Sequence, residues 1–514
     1  MKKLLKFTLI LHLIFANLVN AQSETDSLIR FSDLKYHSDF EEQAILDFIK
    51  DSSNALNLFL AIDENISNED AKLNREVYLK IYSDLALKKI ESKKINKKIK
   101  LSYSNVHKQF LKKYSDNEYF PEIFKTGKYN CVSASMLYAL VFNELKIPYK
   151  VKASSSHVYL VANPGSKSIV IETTNPNFEK AIFNGEFKQN YVNYLRTSKL
   201  ISDSEYKNKS TEEIFEEKFK EVKDAKYYNL PGFQYYNKAF FKLQNNDIEA
   251  ALTLSQKAYY FYPDNQVKTL LYMALLYKIE KCNFDKVSDI DFLAQLSRFE
   301  NIDLNTIKGL FNNIVNNKLK YTDTEQFCDS LCQRLISQIS DQKIIDEINF
   351  SYNMQMSYRH QNSDKVEKYI TKALKIKDNY VDANKIMEHY LFRKFNGIHE
   401  PYALLDSINI LEKRCDFERI TPLFKEYKSI AFLKIANYLY GQKKITEGNK
   451  YLKRFEENFE PPIVNPILEY SITNAYRSIA IYYYYRGSKT RAKSYVDKGL
   501  KYVPNSRSLE SVFN

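Results

Sequence analysis

The sequence predicts an α+β N-terminal domain with a small antiparallel sheet, followed by an all-α solenoid of helical repeats. Three observations carry this. Residues 129–174 read as one apolar helix followed by three short strands. From about Thr211 onward the pattern is helical almost throughout, and it repeats. Only 10 Gly and 12 Pro occur in 514 residues, which argues for helices over a Gly-rich β fold.

The elements follow in chain order. Met1–Ala21 has a basic start (Lys2, Lys3, Lys6), an apolar middle from Leu4 to Phe15 and small residues before Gln22. It reads as a secretory signal peptide cleaved after Ala21. No Cys follows those small residues, so no lipid anchor is expected, and no later segment is apolar enough to span a bilayer. The expected product is exported, periplasmic or extracellular. Residues 22–200 form the first expected domain, with a helical lead-in over 22–126 and a catalytic core over 127–200. In the lead-in, Asp39–Leu60 carries Ile45, Phe48, Ile49, Leu56 and Leu58 at helical spacing, and Val77–Ile90 and Val106–Tyr114 continue the style. Residues 201–210 are polar and read as an exposed linker, and 211–514 as the repeats.

The net charge is +13. Much of it comes from a Lys-rich stretch between Leu87 and Lys113, which reads as a solvated helix face. No nucleic-acid motif accompanies it, so no nucleic-acid partner is expected. There are five Cys, an odd number, which leaves at least one thiol free in an exported protein. That role falls to Cys131, and Cys282, Cys328, Cys332 and Cys415 are expected to be buried free thiols. No H-E-x-x-H and no paired C-x-x-C is present, so neither a metal site nor a cofactor is expected.

Pro121 and Gly127 break the helical pattern before Cys131, and Val132–Leu145 is a buried helix ending before Pro148. A thiol at a helix N-terminus sits at the positive end of the helix dipole beside unpaired N–H groups, which stabilise a thiolate and an acyl oxyanion. A buried structural Cys is the other reading of this position alone. Downstream, Tyr149–Ala153 reads as a strand, and His157–Ala162 with Ser168–Thr173 as a hairpin closed near Asn163-Pro164-Gly165. With a two- or four-residue loop, His157 and Glu172 face each other directly. Cys131, His157 and Glu172 are then nucleophile, base and orienting acid. Asn175 is a rival for the third role. Asn130, Tyr129 and Gln109 are candidates for an oxyanion side chain.

In these residues the chain resembles the transglutaminase-like superfamily. The likeness lies in NCVSASMLYALVFNELKIPY, then His157 on a strand, then Glu172 within Ile171-Glu172-Thr173-Thr174. It is specific over Asn130–Thr174 alone. It implies a papain-like α+β core and catalytic Cys131, His157 and Glu172. Two departures stand out: Glu172 replaces the usual Asp, and Val158-Tyr159 stands where an aromatic Trp often follows the histidine.

In the second half, 246–263 and 487–504 align without a gap: Ala251 with Ala492, Ala258 with Gly499, Pro263 with Pro504, and upstream Ala239 with Ala480. This resembles the tetratricopeptide repeat, whose helix pairs need small residues at their contacts. Asp364–Lys377 and Ala436–Phe459 are weaker copies. Such arrays expose a concave face, so the repeats are expected to bind a protein or peptide partner. Abundant Tyr serves packing, with some left for a groove. The expected function is an exported cysteine enzyme acting on amide bonds through an acyl-thioester. The alternative is a scaffold that keeps the fold without the activity.

Overall fold

The computed structural model describes residues 27–513, except 155–156, 166–167, 172–200 (save 189, 192 and 196), 221, 301, 322–324 and 464. The expected signal peptide, Glu172 and Asn175 lie outside the described residues.

The expectation of a papain-like α+β domain is overturned. The structure is 71% helix and 4% strand. Every strand among the described residues is two to five residues long, while the lead-in supplies helices of up to 20 residues that build the core themselves. Too little sheet forms to organise an α+β layer.

The chain folds as two compact units. The first runs to Asp285 and includes Gln295–Glu300. It begins with α1 (Asp39–Lys50), α2 (Ala55–Ala61), α3 (Asn68–Leu87) and α4 (Ile95–Phe110). The single helical stretch read over 39–60 is broken at Asp51, whose carboxylate accepts from Ser53 N at 2.9 Å and starts a new turn. A two-strand parallel pair follows, β1 (Lys113–Tyr114) with β2 (Lys128–Tyr129), flanking α5 (Glu122–Lys125). Then comes α6 (Cys131–Glu144), buried without a gap from Cys131 to Phe142. A helix that is apolar all round must be surrounded, and α6 is packed by α2, by α4 and by the sheet.

That sheet has four antiparallel strands in the order β5-β4-β3-β6: β3 (Tyr149–Ala153), β4 (Val158–Ala162), β5 (Ile169–Ile171) and β6 (Lys223–Ala225). Val151, Ala153, Val158, Leu160 and Ile171 face the α6 core. Tyr159 and Val170 point to the other face, where Ile201, Ile214 and Phe215 cover them. Period-two alternation thus buries β4 on both sides. The covering residues come from the stretch around α7 (Asp203–Asn208) and α8 (Thr211–Lys220). The supposed linker at 201–210 is therefore anchored through Ile201 and Tyr206.

The first unit also takes in α9 (Leu230–Gln244), α10 (Ile248–Phe261) and α11 (Asn265–Lys281). A buried ion pair explains why. Lys257 on α10 donates to both oxygens of Glu41 on α1 at 2.6 Å, and Tyr235 on α9 donates to Glu41 at 2.8 Å. Glu41 is 0% exposed and Lys257 1%. Charges taken out of water must be paired, so this hairpin and the N-terminal helices require one another. The division between units falls at Asp285, not at 201–210.

The second unit, Lys286–Ala294 with Asn301–Asn514, is helical. Its hairpins include α12 (Leu304–Tyr321), α13 (Glu325–Ser337), α14 (Gln342–Arg359) with α15 (Val366–Ile376), then α16 (Val381–Asn396), α17 (Pro401–Arg414), α18 (Thr421–Gly441) with α19 (Ile445–Asn458), and α20 (Pro466–Tyr485) with α21 (Lys489–Tyr502). The repetition read from sequence has a conformational counterpart. Asn246, Lys443 and Gly487 all adopt positive φ (61°, 61° and 76°) in the turn within a hairpin. The next residue in each closes the same bond: Asp247 N to Lys242 O, Lys444 N to Leu439 O, Ser488 N to Tyr483 O, at 2.9–3.0 Å. Helix exits recur likewise, with Tyr262, Lys377 and Val503 N–H donating to the carbonyls of Ala258, Ala373 and Gly499. At Gly499 a Cβ would stand 2.9 Å from Tyr476 Cβ, so the small residue is demanded by close helix contact.

Candidate functional site

The site is built around the start of α6. Asn130 is its N-cap: Oδ1 accepts from Ser133 N at 2.8 Å, and Ser133 Oγ accepts from Asn130 N at 2.9 Å. The Asn130 amide also donates to the carbonyls of Asp116 and Glu118 at 3.1 and 3.0 Å. All of its capacity is used, so it fixes Cys131 and does not serve as an oxyanion side chain. Gln109, another candidate, donates to Asp84 on an exposed surface. Tyr129 is buried with its ring edge-on to Tyr114.

The small residues of the first turn let the sheet approach. Ser135 Oγ donates to the Val158 carbonyl at 3.1 Å, which ties α6 to β4 one residue from His157. His157 stands just before β4, at the end of the β3–β4 connection. Its N–H donates to Ser154 Oγ at 3.1 Å and its carbonyl accepts from Ser154 N at 2.9 Å. The imidazole stacks on Tyr159 with centroids 5.8 Å apart. Cys131 is 6% exposed and His157 3%.

Both line one cavity of about 490 Å³. Val132, Ala153, Ser154 and Val158 complete that side. The opposite wall comes from the helical hairpin and from β6: Phe233, Tyr236, Asn237, Tyr262 and Gln266 with Lys223. Sequence reading missed this wall, because these residues look like ordinary repeat packing. Their only local signal is the Pro263-Asp264 exit, where Asp264 caps α11 through Gln266 N at 3.0 Å.

Glu172 lies outside the described residues, but the register of the strands that lead to it can be compared with the expectation. A direct His157–Glu172 opposition requires Leu160 opposite Ile169. The sheet instead pairs Leu160 with Ile171 and Ala162 with Ile169, around a six-residue connection. The register is two residues along from the one expected.

Residues 116–119, which the Asn130 amide holds, are also tied to α9. Lys238 on α9 donates to Asn117 O and Oδ1, both at 2.9 Å, and sits 3.5 Å from the centroid of the Tyr119 ring. Burial pushes its ammonium down to about 8, against the opposing pull of Glu118 and Asp63. Gln234 donates to Glu118 O at 3.2 Å. Residues 116–119 are thus clamped between α9 and Asn130.

The other thiols sit in different surroundings. All five cysteines are free. Cys328, Cys332 and Cys415 are buried as expected, whereas Cys282 is only half-buried. Burial and the neighbouring Asp329 push Cys332 up to about 12, and burial raises Cys415.

Scans of the chain against protein-family models, curated proteins and solved structures find no match. Among the described residues, no helix is long and apolar enough to cross a membrane.

Proposed function

We propose that this protein is a cysteine-dependent acyl-transfer enzyme, with Cys131 as nucleophile and His157 as its base, acting on amide bonds of a protein or peptide. The observation that carries the reading is that Cys131, in the first turn of a 14-residue helix, and His157, beside β4, line one cavity. In this reading the Cys131 sulfur attacks the amide carbonyl carbon and His157 takes the thiol proton. The C–N bond then breaks as His157 returns that proton to the leaving amine. Water, deprotonated by His157, attacks the thioester carbonyl; the C–S bond breaks, the acid is released, and His157 returns the proton to the Cys131 sulfur. Ser133 and Ala134 N–H groups are spent on Asn130, which leaves those of Cys131 and Val132 as the oxyanion donors of the proposal.

The transglutaminase-like resemblance over Asn130–Thr174 supports the chemistry without the papain-like fold. The same reading takes Met1–Ala21 as an export signal and the helix hairpins as tetratricopeptide-like repeats that recruit a partner. Their recurring turns and exits support the repeat reading.

The test is alkylation of the native full chain with iodoacetamide between pH 6 and 8, mapped by mass spectrometry. Cys131 is expected to react first among the five thiols, and His157→Ala to slow it at least tenfold. Reaction of Cys131 only on unfolding, or an unchanged rate in His157→Ala, would remove the catalytic reading and leave a binding scaffold.

A further inference from the structure

We infer that the first helical hairpin supplies the specificity wall of the Cys131 cavity, and that this wall selects an uncharged, flat apolar side chain of the phenylalanine or tyrosine kind. The inference deepens the acyl-transfer reading and rests on it for the identity of the reacting atom. The argument starts from composition. The hairpin side presents Phe233, Tyr236 and Tyr262, with Val267 beside them, and the α6 side adds Val132 and Val158. The Phe233 and Tyr262 rings lie 4.3 Å apart between centroids and form one continuous aromatic surface. Flat rings bury large area with few torsions to freeze, so such a surface favours another ring.

Charge points the same way. Among the described residues, the lining holds one cation and one anion besides the histidine, Lys223 and Asp264, and they are paired with each other at 2.8 Å. Asp264 is further committed as the cap of α11. A charged side chain entering the cavity would shed water and find its counter-charge already paired, which costs more than burying an apolar group. Asn237 adds a neutral amide at the same wall, suited to the backbone of a peptide. The position of Tyr262 is set by Gly232: a Cβ there would stand 2.6 Å from Tyr262 Cβ and 2.9 Å from its backbone N. Only glycine lets the α10 exit close against α9 and bring the tyrosine to the wall.

The experiment uses the full chain and three N-acetyl chloromethyl ketones, carrying Phe, Asp and Lys side chains. Each forms a Cys131 S–C bond with loss of chloride. Rates are divided by the rate of the same probe with glutathione. The Phe probe is expected to be at least tenfold faster than the other two. Tyr262→Ala and Tyr236→Ala are expected to bring the ratio of the Phe probe to the Lys probe down at least threefold. The probe series on the unaltered chain stands even if a variant fails to fold. Equal or faster reaction of the Asp or Lys probe, or an unchanged ratio in folded Tyr262→Ala, overturns the inference while fast iodoacetamide labelling keeps the nucleophile reading alive. If iodoacetamide itself fails at Cys131, the nucleophile reading falls, and the wall is judged by equilibrium dialysis of N-acetylphenylalaninamide. Binding that Tyr262→Ala abolishes sustains the wall, and no binding overturns it.

Discussion

Replacing Lys257 by Met strands Glu41, a carboxylate with 0% exposure, inside the first unit. In the intact chain Lys257 holds both Glu41 oxygens at 2.6 Å, Tyr235 donates a third bond at 2.8 Å and the His37 backbone N–H a fourth at 2.9 Å. Removing one partner of a buried pair costs about 3–5 kcal/mol, because the remaining charge keeps its desolvation penalty and loses its compensation. At about 2–4 °C per kcal/mol for a unit of this size, Lys257→Met should lower the melting temperature by about 10 °C. Circular dichroism at 222 nm on the full chain would record this, read as the change in the transition that the mutation moves. The double variant Glu41→Gln with Lys257→Met should recover most of the loss, since the neutral amide still accepts from Tyr235 and no charge is buried. The pH dependence follows from the same geometry. Burial works against ionisation of Glu41, but the hydrogen bond from the His37 imidazole, whose Nδ1 lies 2.9 Å from Oε2, and the Lys257 charge outweigh it, and the carboxyl lies below its usual range. A depressed carboxylate contributes stability that is complete above its unfolded value of about 4.3 and lost as pH falls through the folded value. Lys257→Met removes one lowering cause, so its acid unfolding should begin at higher pH. A single variant within about 1 kcal/mol of the parent, or a double variant no better than the single, would refute this account of the pair.

Two further outcomes are expected. A fragment of residues 22–200 lacks both β6 and Lys257 and should be insoluble or unfolded by circular dichroism, whereas 22–300 should fold. A folded 22–200 would show that neither the edge strand nor the ion pair is needed. Asn130→Ala loses a cap and two carbonyl bonds and should cost about 3 kcal/mol in urea unfolding, with Asn130→Ser costing less because it keeps a cap oxygen. Equal losses in the two would assign the effect to the amide alone.

Local pattern sufficed where an element is defined by its own residues. Tyr149–Ala153 stands as read, and α6 starts and ends within a residue of the expected Val132–Leu145. An unbroken apolar run with a capping Asn and a following Lys-Ile-Pro has few other solutions. The helical character of the second half was legible for the same reason, since apolar residues recur there at helical spacing with little Gly or Pro inside the helices. Within the site, the position of Cys131 and the nearness of His157 to β4 came from this local information.

What tertiary structure decided lies between distant residues. Lys223-Asp224-Ala225 has no strand pattern, yet it becomes β6 because β3 offers it an edge and Lys150 and Lys152 meet Asp224. Glu41 and Lys257 are 216 positions apart, and neither carries a local sign of its partner. The balance of helix over sheet, which overturned the papain-like expectation, depended on how much core the lead-in helices built. The cavity wall facing Cys131 depended on the same packing. By itself the sequence determined where helices and turns begin, because those follow from short-range sterics and capping. Which helices enclose the thiol was settled only by burial, since apolar and charged groups find partners in space without regard to their order along the chain.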